Sequence, residues 1–170
     1  EYFIYYGAIH PSKNLLNLLK AFSVFKKRQQ TNMKLLLAGK PAPDYKLFKE
    51  NLKSYKYRND IELIEKAGKE EAVKILATAY GLVYPCMQEA FSPEVLQAMK
   101  CDVPVIIAGS SPMREIIKDA ALYADAESHT DIADKMMLLY KNENLRNDLI
   151  NKGRSIAEKY RPDEAAELIW

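Results

Sequence analysis

With 170 residues, 48% of them hydrophobic, and 25 Lys plus Arg set against 23 Asp plus Glu, the chain has the size and core-forming content of one ordinary domain. A net charge of +2 with neutral histidines gives no electrostatic footprint for nucleic acid or another polyanion. The two cysteines, Cys86 and Cys101, make neither a metal-ligand spacing nor a disulfide framework and point to a reducing compartment; no apolar run approaches the roughly 20 residues of a membrane span, and no signal-peptide pattern is present.

In chain order, Tyr2 to Tyr6 reads as a strand ending at Gly7. A helix is expected from Pro11-Ser12 to about Arg28, with Leu15, Leu18, Leu19, Phe22 and Phe25 on one face. Its basic end, Lys26-Lys27-Arg28, reads as a solvated last turn complementing the helix dipole. Met33 to Ala38 is an apolar strand ending in Gly39, Asp44 to Tyr55 a polar-faced helix, and Ile61 to Ile64 a third strand. Lys69 to Ala79 reads as a helix leading into the strand Gly81 to Tyr84, which stops at Pro85. An acidic loop carrying Glu89 follows. Ser92 and Pro93 then open a helix, the serine hydroxyl as N-cap and the proline at the first helical position. Val95, Leu96 and Met99 supply that helix's apolar side, and Val103 to Ile107 returns as a buried strand. Ser111 to Lys118 is a short helix and Ala121 to Ala124 a short strand. Thr130 to Tyr140, Glu143 to Lys159 and Pro162 to Trp170 are the closing helices.

About six strands alternating with helices predict an α/β, Rossmann-like, doubly wound parallel sheet spanning residues 1–170 as one domain. The segment from Tyr84 to Ile107 is a strand, loop, helix, strand unit. It places Glu89 and a helix N-terminus together at a strand's C-terminal end, where open α/β sheets bind ligands. Gly7-Ala8-Ile9-His10-Pro11 is not the G-x-G-x-x-G dinucleotide fingerprint, and no G-x-x-x-x-G-K-[ST] phosphate loop exists, so neither NAD nor P-loop chemistry is indicated. The start at Glu1 without methionine and the apolar ending Leu168-Ile169-Trp170 read as a domain of a longer polypeptide.

Four stretches carry a specific resemblance: YYGAIHPSKN from Tyr5, LLLAGK from Leu35, YPCMQEAFSPEVLQAM from Tyr84, and CDVPVI with the following SSPMREII. In these the chain resembles the C-terminal, donor-binding domain of retaining GT-B glycosyltransferases, the group 1 family. The resemblance implies transfer of a sugar from a nucleotide-diphosphate donor to a saccharide or glycoconjugate acceptor, in polysaccharide biosynthesis. It implies no metal and no cofactor, because basic residues and helix N-termini take the place of a cation. Its partners would be the donor and a missing N-terminal domain bearing the acceptor site. It further implies a cytoplasmic protein with no nucleic-acid partner, and peripheral membrane association through the missing domain.

Residue by residue, the resemblance gives Glu89 the donor-sugar contact and Lys13 the neutralisation of the diphosphate. Gly7 and Ala8 let the diphosphate approach the backbone, the Phe91 and Ser92 amides face phosphate, and Gln97 holds the ribose hydroxyls. The chain departs from the family pattern at four places. Ala8 stands where the family has arginine, and Gln97 where it has the second glutamate. Ser92-Pro93 replaces a glycine-containing turn, and Glu65 replaces a glycine beside the nucleotide base. These departures thin the charge and the donors available to a leaving nucleotide. They equally fit a second reading, a degenerate non-catalytic relative that keeps the fold as an interaction or regulatory module.

Overall fold

The computed structural model describes residues 1–160; the helix expected over Pro162 to Trp170 lies outside them. Six strands form one parallel sheet: β1 Tyr2–Tyr6, β2 Lys34–Ala38, β3 Ile61–Ile64, β4 Gly81–Tyr84, β5 Val105–Ala108 and β6 Ala121–Ala124. Their spatial order is β3-β2-β1-β4-β5-β6. The chain therefore winds outward in one direction through β1 to β3, crosses back, and winds outward in the other from β4. This is the doubly wound topology that the alternation of apolar segments predicts, and β1 and β4 flank its switch point.

Every residue of β4 and β5 is buried. Successive strand residues face opposite sides, so both faces of the sheet are covered by helices. These are α1 Leu15–Gln29, α2 Tyr45–Leu52, α3 Lys69–Ala77, α4 Pro93–Lys100, α5 Arg114–Ile117, α6 His129–Lys141 and α7 Glu143–Lys159. α1 packs against α6 and α4 against α7. The expected apolar face of α1 is the observed one: Leu15, Leu18, Leu19, Phe22 and Phe25 are all buried. Phe3 of β1 meets Phe25 edge-on, with ring centroids 5.4 Å apart, and Phe25 meets Tyr140 of α6 in the same way at 5.5 Å. Each such pair adds about 0.5–1.5 kcal/mol beyond the burial itself.

Two local expectations are corrected. The first helix does not start at Pro11: Pro11–Lys13 form a single 3-10 turn, Asn14 adopts a left-handed backbone with φ 61°, and α1 begins only at Leu15. The cause is local polar competition. His10 Nδ1 accepts the Ser12 N–H, and the Asn14 amide donates to the carbonyls of Pro85 and Ala126, tying this turn to distant loops.

The basic end of α1 is not wholly solvated either. Lys26 is 6% exposed. Its ammonium donates to the Thr31 carbonyl and to the Met33 carbonyl at 3.0 Å, and pairs with Asp60 at 3.2 Å. It pins the α1–β2 connection and the turn before β3 to one point. Lys26→Met keeps the stem but leaves these acceptors without a donor. An orphaned buried acceptor costs about 1–3 kcal/mol, so the variant's urea midpoint is expected to fall accordingly with an unchanged m-value. A wild-type midpoint would show that water replaces the ammonium without loss.

Candidate functional site

Beyond their last residues, β1, β2 and β3 continue to hydrogen-bond to one another. Gly7 donates to the Ala38 carbonyl at 2.9 Å, Gly39 to Ile64 at 3.0 Å, and Ile9 to Lys40 at 3.0 Å, while Ala42 donates back to Ile9 at 3.1 Å. The loops after these strands thus share the sheet's rigidity. Two glycines make the approach possible. Gly7 has φ 149°, a backbone that L side chains rarely adopt. A Cβ on Gly39 would lie 1.6 Å from the Gly7 carbonyl oxygen.

Over these loops opens a cleft of about 760 Å³, a volume ordinary for a small-molecule site. Gly7, Ala8, Gly39, Lys40, Glu65 and Lys66 line it from the sheet side, and Glu94 of α4 from across the switch point. The expected positions Gly7 and Ala8 are therefore on its wall. Phe91 and Gln97 are not among its lining residues: Phe91 is half-buried against the core, and Gln97 lies half-buried on α4.

Beside the cleft, the structure brings Lys13 and Glu89 together. One Glu89 carboxylate oxygen pairs with the Lys13 ammonium; the other accepts from the Tyr84 hydroxyl and, at 3.2 Å, from the Ser92 hydroxyl. Glu89 is therefore no freely solvated loop acid. Tyr84 is itself held by stacking on Tyr5, centroids 5.6 Å apart and 11° from parallel, and the Tyr5 hydroxyl donates to the Ala8 carbonyl at 2.8 Å. Burial pushes both phenols well above the usual tyrosine range, so Tyr84 remains a neutral donor to Glu89 at any physiological pH. The carboxylate is positioned from the ends of β1 and β4 at once. Neither tyrosine was marked by the sequence pattern, because an aromatic residue in an apolar strand reads as core; only the shared burial of positions 5 and 84 reveals the pair.

Ser92 also departs from expectation. It occupies the N-cap position of α4, but its side chain makes no capping bond and turns instead to Glu89. Its own N–H is directed to the Met113 sulfur at 3.4 Å, in a buried position. The hydroxyl donates to the charged Glu89 carboxylate, a stronger bond than one to a neutral group. Glu65, the acid standing where a glycine was expected, is tied back toward α2: one oxygen accepts from Lys49 and from the Tyr45 hydroxyl, each at 2.7 Å. The Lys49 bond, followed by that of Tyr45, holds its carboxyl below the usual glutamate range. Among the described residues, no group of three or more His, Cys, Asp or Glu side chains is arranged to hold a metal ion, and no helix is long and apolar enough to cross a membrane.

Comparison with known proteins agrees with this architecture. The profile of the family described as glycosyl transferases group 1 matches residues 1–156. The chain is similar to O-antigen chain mannosyltransferase B of Escherichia coli, 24% identical over 159 residues that make up 94% of this chain and 42% of that protein. It is likewise similar to O-antigen chain mannosyltransferase RfbU of Salmonella typhimurium, 22% identical over 170 residues, 99% of this chain and 46% of that one. The chain thus spans less than half the length of these relatives. Among solved structures, the C-terminal domain of a glycosyl transferase group 1 family protein, LpcC, from Francisella tularensis superposes with a TM-score of 0.81 at 23% identity, covering 93% of this chain and 85% of that domain.

Proposed function

From the premise that the chain belongs to the glycosyl transferases group 1 family, we propose that it is the donor-binding half of a retaining glycosyltransferase. The donor is a nucleotide-diphosphate sugar and the acceptor a saccharide or glycoconjugate. The observation that carries this reading is Glu89, held by Lys13, Tyr84 and Ser92 in the loop after β4, on the same edge of the sheet at whose switch point the cleft opens. In transfer, the bond from the sugar's anomeric carbon to the diphosphate oxygen breaks and a bond to an acceptor hydroxyl oxygen forms. The acceptor's proton leaves with the released diphosphate. Glu89 accepts hydrogen bonds from the sugar hydroxyls and fixes the sugar's orientation. As it does so, Lys13 is freed to neutralise charge building on the diphosphate. No metal is needed in this scheme, since the cations come from lysine side chains.

The two named relatives are mannosyltransferases of O-antigen chains, which favours a hexose donor and a polysaccharide acceptor here. Their greater length leaves room for an acceptor-binding half that closes over the cleft and excludes water. Two free thiols and no long apolar helix among the described residues are consistent with a cytoplasmic setting. Ala8, where the family has an arginine, and the Ser92 amide directed to Met113 favour the second reading, a non-catalytic relative. Calorimetric titration of the chain with GDP, UDP and ADP separates the two. Saturable binding of at least one, with chemical-shift changes at Gly7, Ala8 and Glu65 in a labelled sample, is the expected result. No heat and no shift with any of them at millimolar concentration would leave only the non-catalytic reading.

A further inference from the structure

The near balance of charge over the whole chain conceals an uneven distribution. Residues 45–58, which run through α2 and the turn toward β3, hold five cations and one acid: Lys46, Lys49, Lys53, Lys56 and Arg58 against Glu50. Residues 119–134, which pass through β6 into α6, hold five acids and no lysine or arginine. β3 and β6 are the two edges of the sheet. Five strand spacings, about 24 Å, separate them, so the molecule is basic at one edge and acidic at the other.

The two edges differ in how far their charge is neutralised. Asp119, Asp131 and Asp134 are paired with Lys152, Lys135 and Arg28. At the basic edge Lys49 is paired with Glu65. Lys46, Lys53, Lys56 and Arg58 are exposed and form no salt bridge among the described residues. α2 buries Tyr45, Phe48 and Leu52. Lys46, Lys49 and Lys53, at three- and four-residue steps, therefore share one outward side of it. Leu47 stands beside them at 61% exposure, the highest among the large hydrophobic residues described. Just beyond, Tyr55 and Tyr57 rest half-buried against the core, and Lys56 lies over the Tyr57 ring, 5.3 Å from its centroid. None of these side chains lines the cleft.

We propose that this face, α2 with the turn to Arg58, is a docking surface for an anionic lipid bilayer. The assignment is independent of the donor-binding reading and places membrane contact on this chain itself. Four or more Lys and Arg clustered on an amphipathic helix face are attracted by the surface potential of anionic lipids. Leu47 decides the class of partner. Its side chain gains by leaving water for the boundary between headgroups and acyl chains, and finds no apolar partner along the phosphates of a nucleic acid. Tyr55 and Tyr57 suit the same boundary, which is apolar on one side and wet on the other. Lysine outnumbers arginine here, as suits a diffuse negative surface more than bidentate recognition of single phosphates. A second copy of the chain is disfavoured, because most of the acids it would offer are already paired. With the basic edge on the bilayer, the acidic edge at β6 points away from it.

The test is flotation of the 170-residue chain with vesicles of phosphatidylcholine alone and of phosphatidylcholine and phosphatidylglycerol in equal parts. Binding to the anionic vesicles only, weakening as salt is raised, is the expected result. Lys46→Gln, Lys53→Gln, Lys56→Gln and Arg58→Gln should each weaken it by about fivefold, and the quadruple variant by more than about a hundredfold. Lys20→Gln, Lys27→Gln, Lys100→Gln and Lys141→Gln together remove the same net charge elsewhere and should leave most of the affinity. All eight side chains are exposed, so both quadruple variants should keep the wild-type thermal midpoint. Relative to the wild-type chain, emission from Leu47→Trp should shift to the blue on anionic vesicles, and that from Leu138→Trp on α6 should not. No binding of the wild-type chain to anionic vesicles at low salt would overturn the proposal. Equal losses in the two quadruple variants would do the same, by reducing the effect to net charge. Tighter binding to oligothymidylate than to the vesicles would overturn it in favour of a nucleic acid.

Discussion

Replacing Gly39 by alanine is expected to lower the unfolding free energy by about 3 kcal/mol or more and to abolish nucleotide binding in the cleft. The new methyl would stand 1.6 Å from the Gly7 carbonyl oxygen and 2.6 Å from its carbon. Both are backbone atoms, so no side-chain rotation relieves the overlap. Nor can the Gly7 loop simply move away: the Gly7 amide is bonded to Ala38, and two residues on, Ile9 exchanges bonds with Lys40 and Ala42. Separating Gly39 from Gly7 means breaking several of these bonds, and they are what holds the cleft wall in shape. Gly68→Ala is the control, since nothing lies within 4 Å of a Cβ built there; its cost should stay below about 1 kcal/mol. Urea denaturation of both variants decides the matter. Equal losses would mean that the loops after β1 and β2 yield far more readily than their hydrogen bonds indicate.

The second large effect is expected at Glu89. In the polypeptide carrying both halves, Glu89→Gln should lower kcat for sugar transfer by about a hundredfold, because a misoriented sugar loses the attack geometry. The same variant should bind the sugar-free nucleoside diphosphate as tightly as wild type or more so. Glutamine keeps an acceptor for the Tyr84 and Ser92 hydroxyls, so the loop stays in place, but it no longer neutralises Lys13. Loss of transfer with gain or retention of diphosphate affinity is a pattern that a merely structural role would not produce. A parallel fall in both would assign Glu89 to holding the loop, and unchanged transfer would remove it from the reaction.

The elements of the fold were largely readable in the chain. Apolar runs such as Leu35 to Ala38 and Gly81 to Tyr84, each closed by glycine or proline, mark strands buried on both faces, and the helical spacing of Leu15, Leu18, Leu19, Phe22 and Phe25 marks the inner side of α1. What failed locally failed for one reason. Asn14, Lys26 and Ser92 each have a short-range role that composition suggests, as helix interior, solvated end and N-cap. Asn14 and Lys26 instead bond to groups that tertiary structure delivers, the Pro85 and Ala126 carbonyls and Asp60, while Ser92 turns to Glu89, three residues before it, whose carboxylate is itself held by Lys13 of a distant loop. For polar side chains the partner decides the role, and a partner tens of residues away leaves no trace in local pattern.

By itself, then, the sequence determined the doubly wound α/β architecture and placed Glu89 beyond a strand's C-terminal end, because strand and helix periodicities and the punctuation at strand ends are local properties of the chain; Lys13, Gly7 and Ala8 came from the resemblance to the family. Only the tertiary structure decided which charges meet. It paired Lys13 with Glu89, tied Glu65 to Lys49, and left Lys40 and Lys66 on the cleft wall. Charge pairing depends on distances across a few ångströms between loops that lie far apart in sequence, and those distances exist only once the sheet has assembled.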